Sequence, residues 1–313
     1  MTAPAHDHDH DHPDLPPPSL EEVSDGVFAY VQLDGSWGLN NTGFLVGRHG
    51  VTAVDTCFTE RRTRDFLDTV AAKTPLPVRT LVNTHHHGDH THGNYLVPSA
   101  TIIGHRLCRE ETIAGGHIAT SLFEGVDWGE LEVSPPFVTF DDRLDVWVDD
   151  LLVELHFVGP AHTTNDIVAW VPERKVLFAG DLVFNGGTPF VVMGSVAGSL
   201  AALERLRAFG AEVVVPGHGP VCDASIIDDQ VAYLRFVQSV ARDGFEAGGS
   251  PLAVAQQTDL GRFRDWHDPE RIVGNLWRAW SELRGEALGT PIDVQAFLDM
   301  ITYNGGRPLR CWA

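Results

Sequence analysis

The heptapeptide Thr84-His85-His86-His87-Gly88-Asp89-His90 places four histidines and one aspartate within six consecutive positions. It follows Arg79-Thr-Leu-Val-Asn83, which predicts a β-strand that leads straight into the segment. Imidazole together with carboxylate is a donor mixture typical of zinc, with iron and manganese as alternatives. The heptapeptide therefore predicts a metal site at the end of a strand.

The spacing within this segment predicts two cations rather than one. His85 and His87 are two residues apart, so on an extended backbone both side chains point to the same side and can share one metal ion. Asp89 and His90 lie just beyond a turn at Gly88, from which they can reach a second ion. Histidine-rich runs also occur in solvated loops, so the rest of the chain has to decide between these interpretations.

Three further potential ligands each follow an apolar strand elsewhere in the chain. They are His162 after residues 151–158, Asp181 after residues 176–179, and His218 after residues 213–215. Open α/β folds keep their chemistry where strand ends meet at one edge of a sheet. Convergence of these residues with the heptapeptide favours a dinuclear metal site over a solvated loop.

Short β-branched runs that alternate with helical patterns predict a mixed α/β or α+β fold. Strands are predicted at residues 51–55, 79–83, 100–104, 151–158, 166–171, 175–179 and 212–215. One helix is predicted over residues 60–73 with Thr59 as its N-cap. Another is predicted to begin at Ser199 as the N-cap and to stop at Gly210.

Composition excludes several classes of protein. The 313 residues, 43% of them hydrophobic, suffice for a large core. The net charge of -21 would repel phosphate backbones, so nucleic acid is not an expected partner. The cysteines are few and lie far apart, so no disulfide framework is expected. The sequence shows neither a signal sequence nor the run of roughly 18 to 20 apolar residues that a membrane helix requires. We therefore expect a cytoplasmic protein with no membrane partner.

Three segments are predicted along the chain. Residues 1–18 alternate histidine with aspartate and run into prolines, which predicts a disordered tail. Residues 19–224 carry the strands and the clustered ligands. Residues 225–313 show mainly helical periodicity and form a C-terminal extension, whose first helix is predicted to start with a capping box of Ser225 and Asp228.

The order of these residues resembles the five motifs of the metallo-β-lactamase superfamily over about residues 20–224. The motif residues are Asp55, His85-x-His87-x-Asp89-His90, His162, Asp181 and His218. The resemblance implies an α+β fold, a four-layer αβ/βα sandwich with its metals between the edges of two sheets. It also implies that His85, His87 and His162 bind one metal, that Asp89, His90 and His218 bind the other, and that Asp181 bridges them. Asp55 would hold the ligand loop without touching metal.

The resemblance further implies a metal-dependent hydrolase with two zinc ions, about 3.5 to 4 Å apart, that convert a bound water into the nucleophile. The expected reaction is attack on an ester or thioester carbonyl, with Asp181 and Asp89 as the catalytic carboxylates. Asp89 could also move the proton to the leaving group. The expected partner is a small-molecule or acyl thioester substrate, with a homodimer as one option for assembly.

A narrower resemblance, to cyclase/thioesterases of aromatic polyketide pathways, rests on residues 34–43, 59–64, 162–166, 186–190 and 194–199. Such a cyclase requires a wide apolar cleft. The candidate walls are Trp37, Phe184, Phe190 and Met193, each of which also fits an ordinary core or loop position. Candidate proton shuttles, or simply hydrogen-bonded histidines, are His86, His92 and His117.

Other functions remain open at the level of sequence. They include a lactonase, a β-lactamase-like hydrolase, a mononuclear iron persulfide dioxygenase that uses only some of the ligands, and a non-catalytic metal scaffold. Asp181 stands where many true β-lactamases carry cysteine or serine, which disfavours antibiotic hydrolysis. The acidic composition also disfavours the RNA-processing members of the superfamily.

Overall fold

A computed structural model describes residues 17–313 of the chain. The predicted His/Asp tail, except for its last two prolines, lies outside the described residues. The strands are β1 (Ser19–Ser24), β2 (Val27–Val31), β3 (Thr42–Val46), β4 (Val51–Val54), β5 (Val78–Val82), β6 (Thr101–His105), β7 (Val138–Phe140), β8 (Arg143–Val148), β9 (Leu151–Phe157), β10 (Ile167–Val171), β11 (Val176–Phe184) and β12 (Val213–His218). The α-helices are α1 (Glu60–Lys73), α2 (Gly88–Thr91), α3 (Arg106–Gly115), α4 (Val196–Ala208), α5 (Ile226–Glu246), α6 (Pro251–Gln257), α7 (Arg271–Leu283) and α8 (Gln295–Tyr303).

These strands form two mixed sheets. The first has seven strands in the order β1-β2-β3-β4-β5-β6-β7, and the second has five in the order β12-β11-β10-β9-β8. Strands β4 to β7 run parallel to one another, as do β11 and β12, whereas the remaining neighbours are antiparallel. The parallel strands β4, β5, β11 and β12 lead into the polar residues that the sequence singled out.

The two sheets pack face to face with helices on their outer sides. Alternate residues such as Leu45 and Val82 of the first sheet share one buried cluster with Leu155 and Phe178 of the second. On the outer face of the first sheet, Phe66 of α1 packs in a separate cluster with strand residues. Helices α4 and α5 pack on the outer face of the second sheet. This helix–sheet–sheet–helix order confirms the predicted α+β four-layer fold.

The prediction for α1 is confirmed, and two other predictions about helix starts are wrong. Helix α1 has the predicted bounds, and the Thr59 hydroxyl accepts a hydrogen bond from the Arg62 amide at 3.3 Å. Helix α4 begins earlier than predicted, because Ser195 caps it by accepting from the Gly198 amide at 2.8 Å, and Ser199 lies inside the helix. Ser225 has helical backbone angles and no capping bond, so the predicted capping box is absent there.

The C-terminal helices α5 to α8 pack on the sandwich through apolar side chains that belong to the same buried cluster as the second sheet. Leu234 of α5 and Leu276 of α7 are fully buried in that cluster with Val214 of β12. The predicted boundary at residue 224 between two domains stays a prediction. Within the described residues, no helix combines the length and the apolar character that crossing a bilayer demands.

Candidate metal centre and active-site cleft

Asp55 fixes the loop that carries the first ligands. It follows β4, and Thr84 follows the neighbouring parallel strand β5, so the two residues meet at the same sheet edge. One oxygen of the buried Asp55 carboxylate, Oδ1, accepts from the Thr84 amide at 2.7 Å, and Oδ2 accepts from the Thr84 hydroxyl at 2.7 Å. Oδ2 also contacts His90 Nδ1 at 2.8 Å. These contacts place Asp55 where it can orient the ligand loop, which is the role that the sequence predicts for it.

The heptapeptide changes conformation in its middle. His85 lies in a bend over residues 84–86 and His87 has extended backbone angles, and their ring centroids are 4.8 Å apart. Gly88 begins the single helical turn α2 rather than the glycine turn that the sequence suggested, and the His90 amide donates to the His87 carbonyl at 3.0 Å. This helical turn aims His90 back toward the sheet edge while Asp89 faces the cleft.

The remaining potential ligands come from the second sheet. His162 lies in the loop between β9 and β10, and its Nε2 is 2.8 Å from His87 Nδ1. His218 is the last residue of β12, and Asp181 lies within β11, because that strand continues beyond its predicted end at residue 179. A side chain in place of Gly217 would collide with the Asp181 carboxylate, so only glycine leaves room for it.

The Asp181 carboxylate lies between two groups of imidazoles. Its Oδ1 is 3.0 Å from His90 Nε2, and its Oδ2 is 3.2 Å from His162 Nε2 and 3.4 Å from His218 Nε2. One compact set of donor atoms comes from His85, His87, His162 and Asp181, and a second from Asp89, His90 and His218. In each set the donor atoms lie within 4.8 Å of one another. The structure thus brings together all seven residues that the sequence singled out as ligands.

The chemistry of these donor atoms fits two divalent cations. His85 Nε2 is buried and lacks a hydrogen-bond partner, and the buried His90 Nε2 and Asp181 Oδ1 make no aligned hydrogen bond although they are 3.0 Å apart, whereas buried polar atoms are nearly always hydrogen bonded. Imidazole nitrogens and carboxylate oxygens at this spacing are the ligands that zinc takes in proteins. The free nitrogens and the Asp181 carboxylate point to the same interior space, so the residues present can hold a metal pair.

The two halves of the centre differ in protonation. Burial lowers the pKa of His85 and of His87 well below the ordinary value, so both imidazoles are neutral. Burial also acts on His90, but the carboxylates of Asp181, Asp55 and Asp89 outweigh it and raise the pKa of His90 well above its ordinary value. Burial also acts to lower the pKa of His218, but the carboxylates of Asp181 and Asp89 outweigh burial and raise this pKa to about 9. Cation binding in the second half must therefore release protons.

A network missed by the sequence prediction links His162 to the C-terminal helices. His162 Nδ1 hydrogen bonds to the Phe190 carbonyl. The residues on either side of Phe190 are held by Asn275 of α7, which accepts from the Val191 amide at 2.9 Å and donates to the Pro189 carbonyl at 2.7 Å. Asn275 is fully buried. No sequence signal distinguishes this asparagine, because the Pro189 and Val191 backbone groups that it holds lie more than eighty residues away.

An apolar cleft opens beside the ligands, with about 640 Å³ of empty space that is partly open to solvent. The structure places the four predicted wall residues, Trp37, Phe184, Phe190 and Met193, on its lining. The sequence missed other lining residues, which are Phe58, Leu122, Phe123, Arg271, Phe297 and Leu309. Trp37 is held in place by donation from its indole nitrogen to the Glu270 carboxylate at 2.7 Å. The cleft is therefore shaped jointly by sandwich loops and by the C-terminal segment.

The three candidate proton shuttles occupy different settings. His86 is hydrogen bonded to the Asn165 side chain at 2.9 Å, and burial lowers the pKa of His86 to about 4. His92 contacts the Phe58 carbonyl at 3.3 Å and the ring of His117 at 5.1 Å between centroids, and burial lowers the pKa of His92 to about 4. None of the three is on the lining of the cleft within the described residues, so the geometry favours their hydrogen-bonding roles.

Comparison with protein families gives an independent view of the chain. A family model described as the metallo-beta-lactamase superfamily matches residues 35–218. This match spans Asp55 and the clustered ligands and ends before α5 begins.

Comparison with individual proteins agrees. The chain is 25% identical over 219 residues to a metallo-beta-lactamase type 2 of Bacteroides fragilis, a match that covers 67% of this chain and 82% of that protein. It is 30% identical over 195 residues to hydroxyacylglutathione hydrolase of Rhodospirillum rubrum, covering 58% of this chain and 65% of that protein, less than two thirds of its length. A solved metallo-beta-lactamase from Pontibacter korlensis is similar in fold, with a TM-score of 0.59 at 22% identity over 70% of this chain and 99% of that one.

Proposed function

The chain belongs to the metallo-β-lactamase superfamily and is a metal-dependent hydrolase, and we propose that it hydrolyses an ester or thioester with the help of two zinc ions. The observation that carries this proposal is the position of Asp181. Its two oxygens face imidazoles of both donor sets, at 3.0 Å from His90 and 3.2 Å from His162. A carboxylate so placed is suited to bridge two cations.

In this proposal His85, His87 and His162 hold one zinc ion, Asp89, His90 and His218 hold the other, and Asp181 contacts both. The chemistry that two bound zinc ions supply is activation of a water near neutral pH and polarisation of the carbonyl. Asp55 and the Phe190 carbonyl orient His90 and His162 through their Nδ1 atoms, which turns each Nε2 toward the other ligands.

Asp89 is the carboxylate best placed to move a proton. Its side chain is 15% exposed and lies on the cleft lining, whereas that of Asp181 is 4% exposed. We propose that Asp89 takes a proton from the attacking water and delivers it to the leaving oxygen or sulfur. The carbonyl carbon gains a bond to the water oxygen and loses its bond to the leaving group, so one acid and one alcohol or thiol result.

The experiment is hydrolysis of acyl thioesters and matched oxygen esters by zinc-loaded protein, together with Asp181→Asn. The amide keeps the size of the carboxylate but removes its charge, so we expect kcat/KM to fall on the order of a thousandfold. Asp68→Asn, which alters an exposed acid on α1, is the matched control and should retain activity. Unchanged turnover in Asp181→Asn would contradict the proposal. Metal analysis of the protein as purified that finds one iron and no zinc per chain would favour an oxygenase instead.

A second candidate, an aromatic polyketide cyclase/thioesterase, is favoured by the apolar cleft beside the ligands. Trp37 contacts Phe190 edge to face at 5.1 Å and Phe123 at 5.7 Å between ring centroids, so an aromatic surface adjoins the metal centre. Product analysis with a β-ketoacyl thioester separates the candidates. A free acid supports simple hydrolysis, and a ring-closed product supports the cyclase.

A further inference from the structure

The apolar part of the cleft lining, called the wall below, comes from distant parts of the chain. Phe58 lies edge to face with Phe123 at 5.7 Å between ring centroids, and Phe123 forms an isolated β-bridge with Leu309 near the C-terminus. Phe297 of α8 completes this side of the cleft. Apart from the metal-binding side chains, almost all of the surface exposed in the cleft is apolar. A buried acyl group would therefore gain hydrophobic contact but few hydrogen bonds.

Within residues 17–313, Arg271 is the one lysine or arginine on the cleft lining, and its charge is already engaged. Its guanidinium donates to the Thr188 carbonyl at 2.9 Å and forms an ion pair with Asp268 at 2.8 Å. The same guanidinium lies over the Trp37 ring, 3.9 Å from its centroid. Arg271 is only 1% exposed. It therefore offers little to an anionic group on a substrate.

A carboxylate at the far end of an acyl group would lose water in this cleft without gaining a partner. Burying an unpaired charge is strongly unfavourable, whereas a methyl or phenyl group at the same point gains from burial. We propose that the cleft takes an uncharged apolar acyl group, either aromatic or long-chain, and excludes acyl groups that end in a carboxylate. This inference rests on the proposed function, because the acyl group belongs to the ester or thioester that is cleaved.

Two thioesters of the same length test the inference. The octanoyl and 7-carboxyheptanoyl thioesters of N-acetylcysteamine differ chiefly at the distal end, which is a methyl group in one and a carboxylate in the other. With zinc-loaded protein we expect kcat/KM to be at least about thirtyfold higher for the octanoyl compound. Equal hydrolysis of both would overturn the inference and leave the proposed function standing. Hydrolysis of neither would count against the proposed function itself.

A gain-of-selectivity variant tests whether the wall contacts the acyl group. Phe297→Lys places a cation on the cleft lining and should raise the relative kcat/KM of the 7-carboxyheptanoyl compound at least about tenfold. Phe297→Leu keeps the wall apolar and should keep the octanoyl preference. Phe137→Lys, at an exposed phenylalanine away from the cleft, controls for added charge and should leave the ratio unaltered. A folded Phe297→Lys protein with the ratio of the unmodified chain would overturn the inference.

A binding measurement keeps the inference testable without turnover. N-phenyl-1-naphthylamine and 8-anilinonaphthalene-1-sulfonate share an aromatic skeleton, and only the second carries a negative charge. We expect the neutral probe to bind at least about tenfold more tightly and to be displaced, with and without zinc, by the thioether analogue of the octanoyl compound, which has no thioester carbonyl to hydrolyse. Tighter binding of the sulfonate at a site from which the thioether displaces it would overturn the inference.

Discussion

The ligand edge of the sandwich and the apolar wall of the cleft are built in opposite ways. At the ligand edge, polar residues follow neighbouring strands and support one another, as Asp55 supports Thr84 and His90. At the wall, apolar residues come from loops and the C-terminal segment, such as Phe123 and Leu309. The family match covers the edge but ends before the C-terminal helices. Under the proposed function, the ligand edge would carry out the reaction and the wall would select the substrate.

The largest effect at the ligand edge is expected from metal removal. Dialysis against a chelator should abolish hydrolysis, and added zinc should restore it. Ligand binding stabilises a protein by about 4 kcal/mol when the free ligand is a thousand times its Kd, so we expect the melting temperature to fall by about 10 °C. Calorimetry and activity measured on the same samples provide the check. Full activity after verified metal removal would contradict a metal-dependent reaction.

The next largest effect is expected at Asp55, which touches ligands rather than metal. Asp55→Asn keeps its shape but weakens the bonds to Thr84 and His90, so zinc affinity should fall about 10- to 100-fold. Competition with a chromophoric chelator measures this change. Asp65→Asn, at an exposed aspartate on α1, is the matched control. Zinc affinity equal to that of the control would show that Asp55 does not support the ligand loop.

The sequence predicted the ligand edge well because its rules are local and chemically specific. Histidine and aspartate at fixed spacing leave few interpretations. The strand before His162 and the strands that contain Asp181 and His218 lie close to their predicted positions. The Thr59 cap of α1 is equally local, since donor and acceptor are three residues apart. The start of α4 was missed because Glu282 of α7 accepts from the Val196 amide at 2.7 Å, a contact that sequence periodicity does not reveal.

The wall was harder to predict because apolar residues in a cleft have the same sequence pattern as apolar residues in a core. Phe123 and Leu309 pair across 186 positions of the chain, and neither carries a chemical signature. Trp37 could be predicted as a wall residue because it lies in the connection between β2 and β3. The Asn275 network could not be predicted, because a buried asparagine within a helix has the same sequence pattern as an exposed one.

Asn275 of α7 connects the C-terminal segment to the ligand edge, so its substitution tests whether the ligand edge depends on that segment. Asn275→Ala leaves the Pro189 carbonyl and the Val191 amide without their partner and should lower the free energy of unfolding by about 1 to 3 kcal/mol. Because Phe190 between them orients His162, we also expect a several-fold loss of zinc affinity. Denaturant titration and metal competition measure the two effects. Gln256→Ala, at an exposed position of α6, is the control and should alter neither. Lost stability with unchanged zinc affinity would mean that Asn275 has no influence on His162.

The smallest effect is expected at Trp37, on the wall alone. Trp37→Phe keeps an aromatic ring but removes the donation to Glu270, so the position of the ring relaxes. We expect KM for an aromatic acyl thioester to rise about threefold with little change in kcat, because uniform binding is lost while the ligand edge is untouched. Steady-state kinetics separate the two constants. A large fall in kcat with unchanged KM would place Trp37 with the reacting groups instead.

The most direct test of the proposed centre is a crystal structure of the zinc-loaded chain with anomalous scattering recorded at the zinc edge. We predict two zinc peaks about 3.5 to 4 Å apart, one beside His85, His87 and His162 and the other beside Asp89, His90 and His218. The Asp181 carboxylate should contact both ions. A single peak under zinc excess, or two peaks with Asp181 bound to neither, would contradict the dinuclear centre from which the proposed reaction follows.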